Sequence, residues 1–138
     1  AEAGADVAIL DLPGSETEGV LGEVRALGRR AMAVPCNVTR SLEVDAAVAA
    51  VVAEFGSIDI LLNNAGICIH QPAESMSDEQ WLNVVNVDLN AVFFVARAVG
   101  LSMIARGAGG RVVNTASMSG RIVNRPQCQS AYNAAKAG

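Results

Sequence analysis

The chain has 138 residues, of which 51% are hydrophobic but only 4% aromatic, and its net charge is −4 with a pI near 4.9. This length suits one domain around one core, and the acidic balance argues against nucleic acid or an anionic membrane as the main partner. Cys36, Cys68 and Cys128 match no zinc or redox spacing, and the lone His70 excludes a multi-histidine metal site. No uninterrupted apolar run reaches about 18 residues, so no membrane span is expected. The first residues carry neither a basic stretch nor a signal-like apolar run. Reduced thiols in the cytoplasm are therefore the expectation.

Short β-branched runs alternate with longer helical stretches, the pattern of βαβ units. Val7 to Asp11 reads as a strand. Glu16 to Leu27 reads as a helix stopped by Gly28. Ala31 to Pro35 is a second strand. Ser41 has the chemistry of an N-cap, opening a helix that runs to Phe55 and ends at Gly56. Ile58 to Asn63 is a third strand, apolar except for Asp59, and is expected to be buried on both faces. After a loop containing Pro72, Ser77-Asp78-Glu79-Gln80 has the form of a capping box. It starts a long helix running to about Ala105, which Gly107 to Gly110 interrupts. Arg111 to Thr115 is a fourth strand, and a last helix begins near Gln129 or Ser130. Ala1 to Asp6 reads as the tail of a helix followed by a turn, and the last helix is barely two turns long. A segment of a longer chain, cut at both ends, is expected.

Three motifs fall on these elements in a fixed order. Asn63-Asn64-Ala65-Gly66 closes the third strand, Ser117 follows the fourth, and Tyr132-Asn133-Ala134-Ala135-Lys136 lies on the last helix. Positions i and i+4 share a helix face, so Tyr132 and Lys136 stand side by side. An ammonium about 4 Å from a phenolate contributes roughly 4 kcal/mol at an effective dielectric of about 20. Together the motifs resemble the short-chain dehydrogenase/reductase family over the whole chain. Thr115 to Gly120 and Ile122 to Gln127 are similar to its polyol and ketose dehydrogenases and carbonyl reductases.

The resemblance implies an α/β fold: a Rossmann-like doubly wound parallel sheet with helices on both faces, here incomplete. Residues 1–138 would be part of a single NAD(P)-binding domain. The family's first strand and glycine-rich loop would precede Ala1, that strand lying between the Val7 and Ile58 strands. Without it two strands would lose a neighbour, and this segment alone is expected to fold poorly and bind cofactor weakly. The implied activity is hydride transfer between a nicotinamide cofactor and a secondary alcohol or ketone, with a sugar alcohol or ketose as the narrower expectation. An NADP-dependent carbonyl reductase and a non-catalytic Rossmann-like fragment are the alternatives.

The site residues follow from the same resemblance. Tyr132 would be the general acid/base, Lys136 its electrostatic partner and the holder of the nicotinamide ribose. Ser117 would hydrogen-bond the substrate oxygen, with Ser119 a turn residue. Asp88 stands where the family usually has an asparagine that holds a water of the proton relay; a carboxylate there accepts but does not donate. Asn86 and Asn90 would lie on other faces of an α-helix. Asp11, ending the first visible strand, would bind the adenosine ribose and repel a 2′-phosphate, favouring NAD over NADP. Asn37 and Val38 would face the adenine, Asn37 through its carbonyl. Asn63 would tie strands together, while Ala65 and Gly66 would let the cofactor pass close to the backbone. Cys68, His70 and the Arg121 to Gln129 loop could line the substrate site. The partners implied are a small-molecule alcohol or carbonyl compound and further copies of the chain, through the Trp81 to Ala105 helix and the tyrosine helix.

Overall fold

A computed structural model describes residues 1–138. The strands form two parallel ribbons. In the first, β1 (Val7–Asp11) pairs with β2 (Ala31–Pro35), Val7 opposite Ala31 and Asp11 opposite Pro35. In the second, β3 (Ile60–Asn63) pairs with β4 (Arg111–Asn114), Ile60 opposite Arg111 and Asn63 opposite Asn114. No ladder joins the ribbons. The break falls between β1 and β3, the place that the resemblance assigns to the family's first strand.

The helices are α1 (Glu18–Ala26), α2 (Ser41–Phe55), α3 (Asp78–Val85), α4 (Ala91–Arg106) and α5 (Ser130–Ala137). Both ribbons rest on one layer built from α2 and α4. Val44, Ala47, Val48, Val95, Val99 and Met103 form its buried centre, onto which Leu10 of β1, Val34 of β2 and Leu61 of β3 pack. Two separate ribbons thus share one core.

The α3 capping box is present: Ser77 Oγ accepts from the Gln80 amide at 3.1 Å, and the Ser77 amide donates to Gln80 Oε1 at 3.0 Å. Ser41, expected as an N-cap, is instead the first helical residue; Arg40 flanks it and no side chain caps the end. Gly107 ends α4 at φ +71°, a conformation that a residue with a β-carbon adopts only with strain.

Two further expectations are corrected. β3 is not buried on both faces: Ile60 and Leu62 are 63% and 62% exposed, while Leu61 and Asn63 turn to the helical layer. Strand side chains alternate, and nothing covers the second face here. The long helix is not uniformly α-helical either. Asn86–Asn90 forms a π turn between α3 and α4, within one 29-residue helical stretch, Asp78–Arg106, which is long and apolar enough by length and composition to cross a membrane. It packs instead on α2, α5 and β3. An α-helical reading with no break could not foresee the inserted residue of a π turn.

One ion cluster fixes how β1, β2 and α2 meet. Asp6 accepts from the Arg30 amide and from Arg30 Nε at 3.0 and 2.8 Å, and pairs with Arg29 at 2.8 Å. Arg30 also donates to the carbonyls of Glu54 and Phe55 at the end of α2, and its guanidinium lies 4.6 Å from the centre of the Phe55 ring. The side-chain bond from Arg30 holds the Asp6 carboxyl below its ordinary 3.8, with further help from its backbone amide and the charge of Arg29. A lowered folded-state pKa adds stability above the unfolded value, and that stability is lost as pH falls through the folded one. Asp6→Asn should therefore lower the melting temperature at neutral pH. The gap to the parent should narrow as the pH drops below about 4, the unperturbed carboxylate range. A gap of constant size in thermal melts from pH 7 to pH 3 would show that the charge plays no part.

Candidate active site

α5 carries the site because of its small residues. Ala131 and Ala135 are buried with Val84 of α3, and this close approach leaves Tyr132 and Lys136 on the neighbouring face. Lys136 Nζ lies 5.6 Å from the centre of the Tyr132 ring. It donates to the carbonyl of Thr115, at the exit of β4, at 3.1 Å. It also pairs with Asp88 Oδ1 at 3.2 Å, and both side chains are nearly sealed from solvent, 6% and 0% exposed.

The π turn brings Asp88 here. A π turn widens the helix by one residue and re-aims the side chains around it. Asp88 Oδ2 accepts from the Ile67 amide at 2.9 Å, while Oδ1 faces the ammonium without an aligned hydrogen bond. Asn86 and Asn90, one on each side, bond to each other at 2.9 Å. Gly66 lies directly over the carboxylate: a β-carbon there would stand 2.7 Å from Asp88 Oδ1. The small size of Gly66 thus has a second reason besides backbone access, one that depends on a residue distant along the chain.

Ser117 opens a single 3-10 turn, Met118–Gly120. Its Oγ accepts from the Ser119 amide at 3.1 Å, which leaves the hydroxyl hydrogen free to donate elsewhere. The turn lies flush on α5, since a β-carbon on Gly120 would collide with the Lys136 carbonyl oxygen. Ser119 is buried, and its hydroxyl accepts from Gln129 Nε2 at 3.0 Å. Asn133 ties the Arg121–Gln129 loop to α5 through the Ile122 carbonyl and the Asn124 side chain, at 3.1 and 3.3 Å. Sequence reading does not mark Thr115 as a site residue, and it gives Gln129 only as the end of a loop that could line the substrate site, without a positioning role. Their only signal was position: one ends the strand before Ser117, the other precedes the tyrosine helix.

The remaining candidates lie along the strand ends. Asn63 donates through Nδ2 to the Val92 carbonyl at 2.9 Å and to Asn114 Oδ1 at 3.3 Å, tying β3 to α4 and β4. Ala65 is exposed next to it. Asp11 is exposed at the end of β1, with one carboxylate oxygen taken by the Leu12 amide at 2.7 Å. Asn37 Oδ1 accepts from both the amide and the hydroxyl of Thr39, at 3.1 and 2.8 Å. Its carbonyl is therefore engaged locally, and its amide NH2 is the free group. Val38 packs against the shared core. Cys68 Sγ lies 3.6 Å from Gln129 Oε1, and His70 is exposed. Partial burial, with the charge of Asp88, raises the Cys68 thiol above its ordinary 9.0.

Parallel strands on a helical layer, with a serine, a tyrosine and a lysine drawn together past the end of β4, define a Rossmann-like protein with its functional groups at the strand ends. The chain belongs to the short-chain dehydrogenase/reductase family, since the short chain dehydrogenase family model matches residues 1–138. It is 42% identical over 139 residues to galactitol 2-dehydrogenase of Rhizobium johnstonii, covering 99% of this chain and 53% of that protein. It is 39% identical over 140 residues to a probable NADP-dependent mannitol dehydrogenase of Yarrowia lipolytica, covering 99% and 49%. The structure of an NAD+-bound xylitol dehydrogenase superposes with a TM-score of 0.89 at 35% identity, covering 99% and 52%. The chain spans about half the length of the curated relatives it matches.

Removing one partner of a buried ion pair leaves an unpaired charge, at a cost of about 3–5 kcal/mol. Asp88→Ala should destabilise the protein by about 3 kcal/mol, read by urea unfolding. A loss under about 1 kcal/mol, the range of an exposed pair, would mean that water reaches Lys136 freely.

Proposed function

We propose that the protein is an NAD-dependent oxidoreductase that moves a hydride between the nicotinamide and a secondary alcohol or ketone, a sugar alcohol or ketose being the substrate class. The observation that carries this reading is the packing of the Ser117 turn against the Tyr132–Lys136 helix, whose lysine forms a buried ion pair with Asp88. The polyol dehydrogenases among the relatives support the substrate class.

In this reading Tyr132 gives its proton to the carbonyl oxygen during reduction and takes the hydroxyl proton during oxidation. Ser117 donates to the same oxygen: the Ser119 amide engages one acceptor lone pair and leaves the O–H hydrogen free. An ammonium has three N–H groups; Lys136 directs one at Thr115 and presents another to Asp88, so the third can reach the ribose of the nicotinamide nucleotide. Asp88 Oδ1 retains an acceptor position beside Lys136, suited to a water that links the lysine to solvent. When bound, the cofactor supplies the hydride acceptor or donor.

The residues fit such a cofactor. Asp11 keeps one free carboxylate oxygen for ribose hydroxyls, Asn37 its amide NH2 and Val38 its backbone for the adenine, and Ala65 and Gly66 offer bare backbone. Asp11 favours NAD, while the relative named as NADP-dependent keeps an NADP-dependent carbonyl reductase as the second reading. A non-catalytic role remains the third. Self-association is also proposed: Phe93, Leu101 and Ile104 leave apolar surface exposed on α4. A cytoplasmic location is proposed from the reduced cysteines.

Two measurements on the intact protein test this. With galactitol, mannitol and xylitol as probes, Tyr132→Phe should cut turnover at least about 100-fold, the low end for a lost acid/base group; undiminished turnover would remove Tyr132 from the chemistry. The ratio of kcat/KM for NAD over NADP should exceed about 10, equivalent to about 1.4 kcal/mol, and Asp11→Ala should shrink it. A preference for NADP would refute the role given to Asp11.

A further inference from the structure

We infer that Gln129 is a positioning residue that sets the Ser117 turn through Ser119 and anchors it to the loop after β3. Gln129 is 9% exposed, and each end of its side-chain amide has a partner. Nε2 donates to Ser119 Oγ at 3.0 Å in a buried setting, and Oε1 faces Cys68 Sγ at 3.6 Å. The Ser119 amide in turn donates to Ser117 Oγ at 3.1 Å. A single amide therefore spans from the loop after β3 to the serine after β4.

The backbone holds the same place. Gln129 and Gln71 form an isolated parallel bridge, with the Gln71 amide donating to the Cys128 carbonyl at 2.8 Å. Gln129 immediately precedes α5, whose first turns carry Tyr132. It is thus the point where the tyrosine helix, the serine turn and the loop after β3 are joined. Cys68 is a free, exposed cysteine whose S–H is a donor matched to the amide oxygen. A buried donor or acceptor left without its partner is costly, so loss of the amide unsettles all three segments.

The consequence is one of polarity. With Gln129 donating, Ser119 Oγ is held as an acceptor and the Ser119 backbone stays aimed at Ser117. Ser117 Oγ then accepts from protein and donates outward. Without Gln129 the Ser119 hydroxyl can turn, and the Ser117 rotamer is no longer fixed.

This inference rests on the proposed role of Ser117, so its test has one arm that needs no catalysis. Gln129→Met keeps the length of the side chain and removes both polar ends. In the intact protein, hydrogen exchange across residues 117–121 should speed up about 10-fold while α2 exchanges as before. In the second arm, turnover of galactitol, mannitol or xylitol is expressed per cofactor-binding site, counted by fluorescence titration with NADH, so unfolded molecules do not enter. Gln129→Met and Ser119→Ala should each lower it about 10-fold with KM changed less than 2-fold, and the double variant should be no worse than either. Unchanged exchange, unchanged turnover per site, or losses that multiply would each overturn the assignment. Tyr132→Phe measured alongside separates the two ideas: if it stays active, the proposed chemistry fails whatever Gln129 does.

Discussion

The buried pair between Lys136 and Asp88 is the constraint that the rest of the site obeys. Each charge, taken from water, carries a desolvation cost of several kcal/mol, and a bare pair seldom recovers it. Here each partner has a second neutral contact: the Ile67 amide for Asp88 and the Thr115 carbonyl for Lys136. Four segments are therefore tied to one point: the π turn, the loop after β3, the exit of β4, and α5. Moving any of them would leave a buried group unsatisfied. This over-determination, more than the i,i+4 spacing alone, is what can hold a lysine beside a tyrosine in one orientation.

Such convergence requires backbones to approach closely, and the sequence supplies small residues where they do. Gly66 lies over the Asp88 carboxylate, Gly120 against the Lys136 carbonyl, and Ala131 and Ala135 against Val84. At the two glycines a β-carbon would meet a fixed charge or backbone, and at the two alanines a larger side chain would meet buried Val84. The low aromatic content has the same meaning: this layer packs alanines and valines, and its helices sit close.

The elements of the fold were legible because strands and helices alternate in period and because glycines and the Ser77–Gln80 box mark their ends. The strand boundaries were less so. Ile58 extends the apolar pattern of β3 across the charged Asp59, yet the ladder begins at Ile60, opposite Arg111. Burial of Ile60 and Leu62 could not be read either, since their composition does not say what covers the second face. Ser117, Tyr132, Lys136 and Asp88 could be named from motif order. The roles of Gly66, Gly120 and Gln129 could not, because each depends on a contact with a residue distant along the chain. The π turn left no local signal at all; Asn86, Asp88 and Asn90 give no cue of helical period.

The aspartate at position 88 is better matched to its surroundings than an amide would be. Its two oxygens face two donors, the Ile67 amide and the Lys136 ammonium. An asparagine in the same pose would turn an N–H toward one of them, donor against donor. The carboxylate has a further effect on the field at Tyr132. A cation alone acts over distance as 1/r, but a cation with an anion 3.2 Å away acts as a dipole whose field falls faster. At the Tyr132 ring, 5.6 Å from the ammonium, the anion offsets part of the positive potential that Lys136 supplies. Asp88 thus moderates the field of Lys136 at the Tyr132 ring, and on the proposed reading an oxidised cofactor would, when bound, add positive charge to what remains.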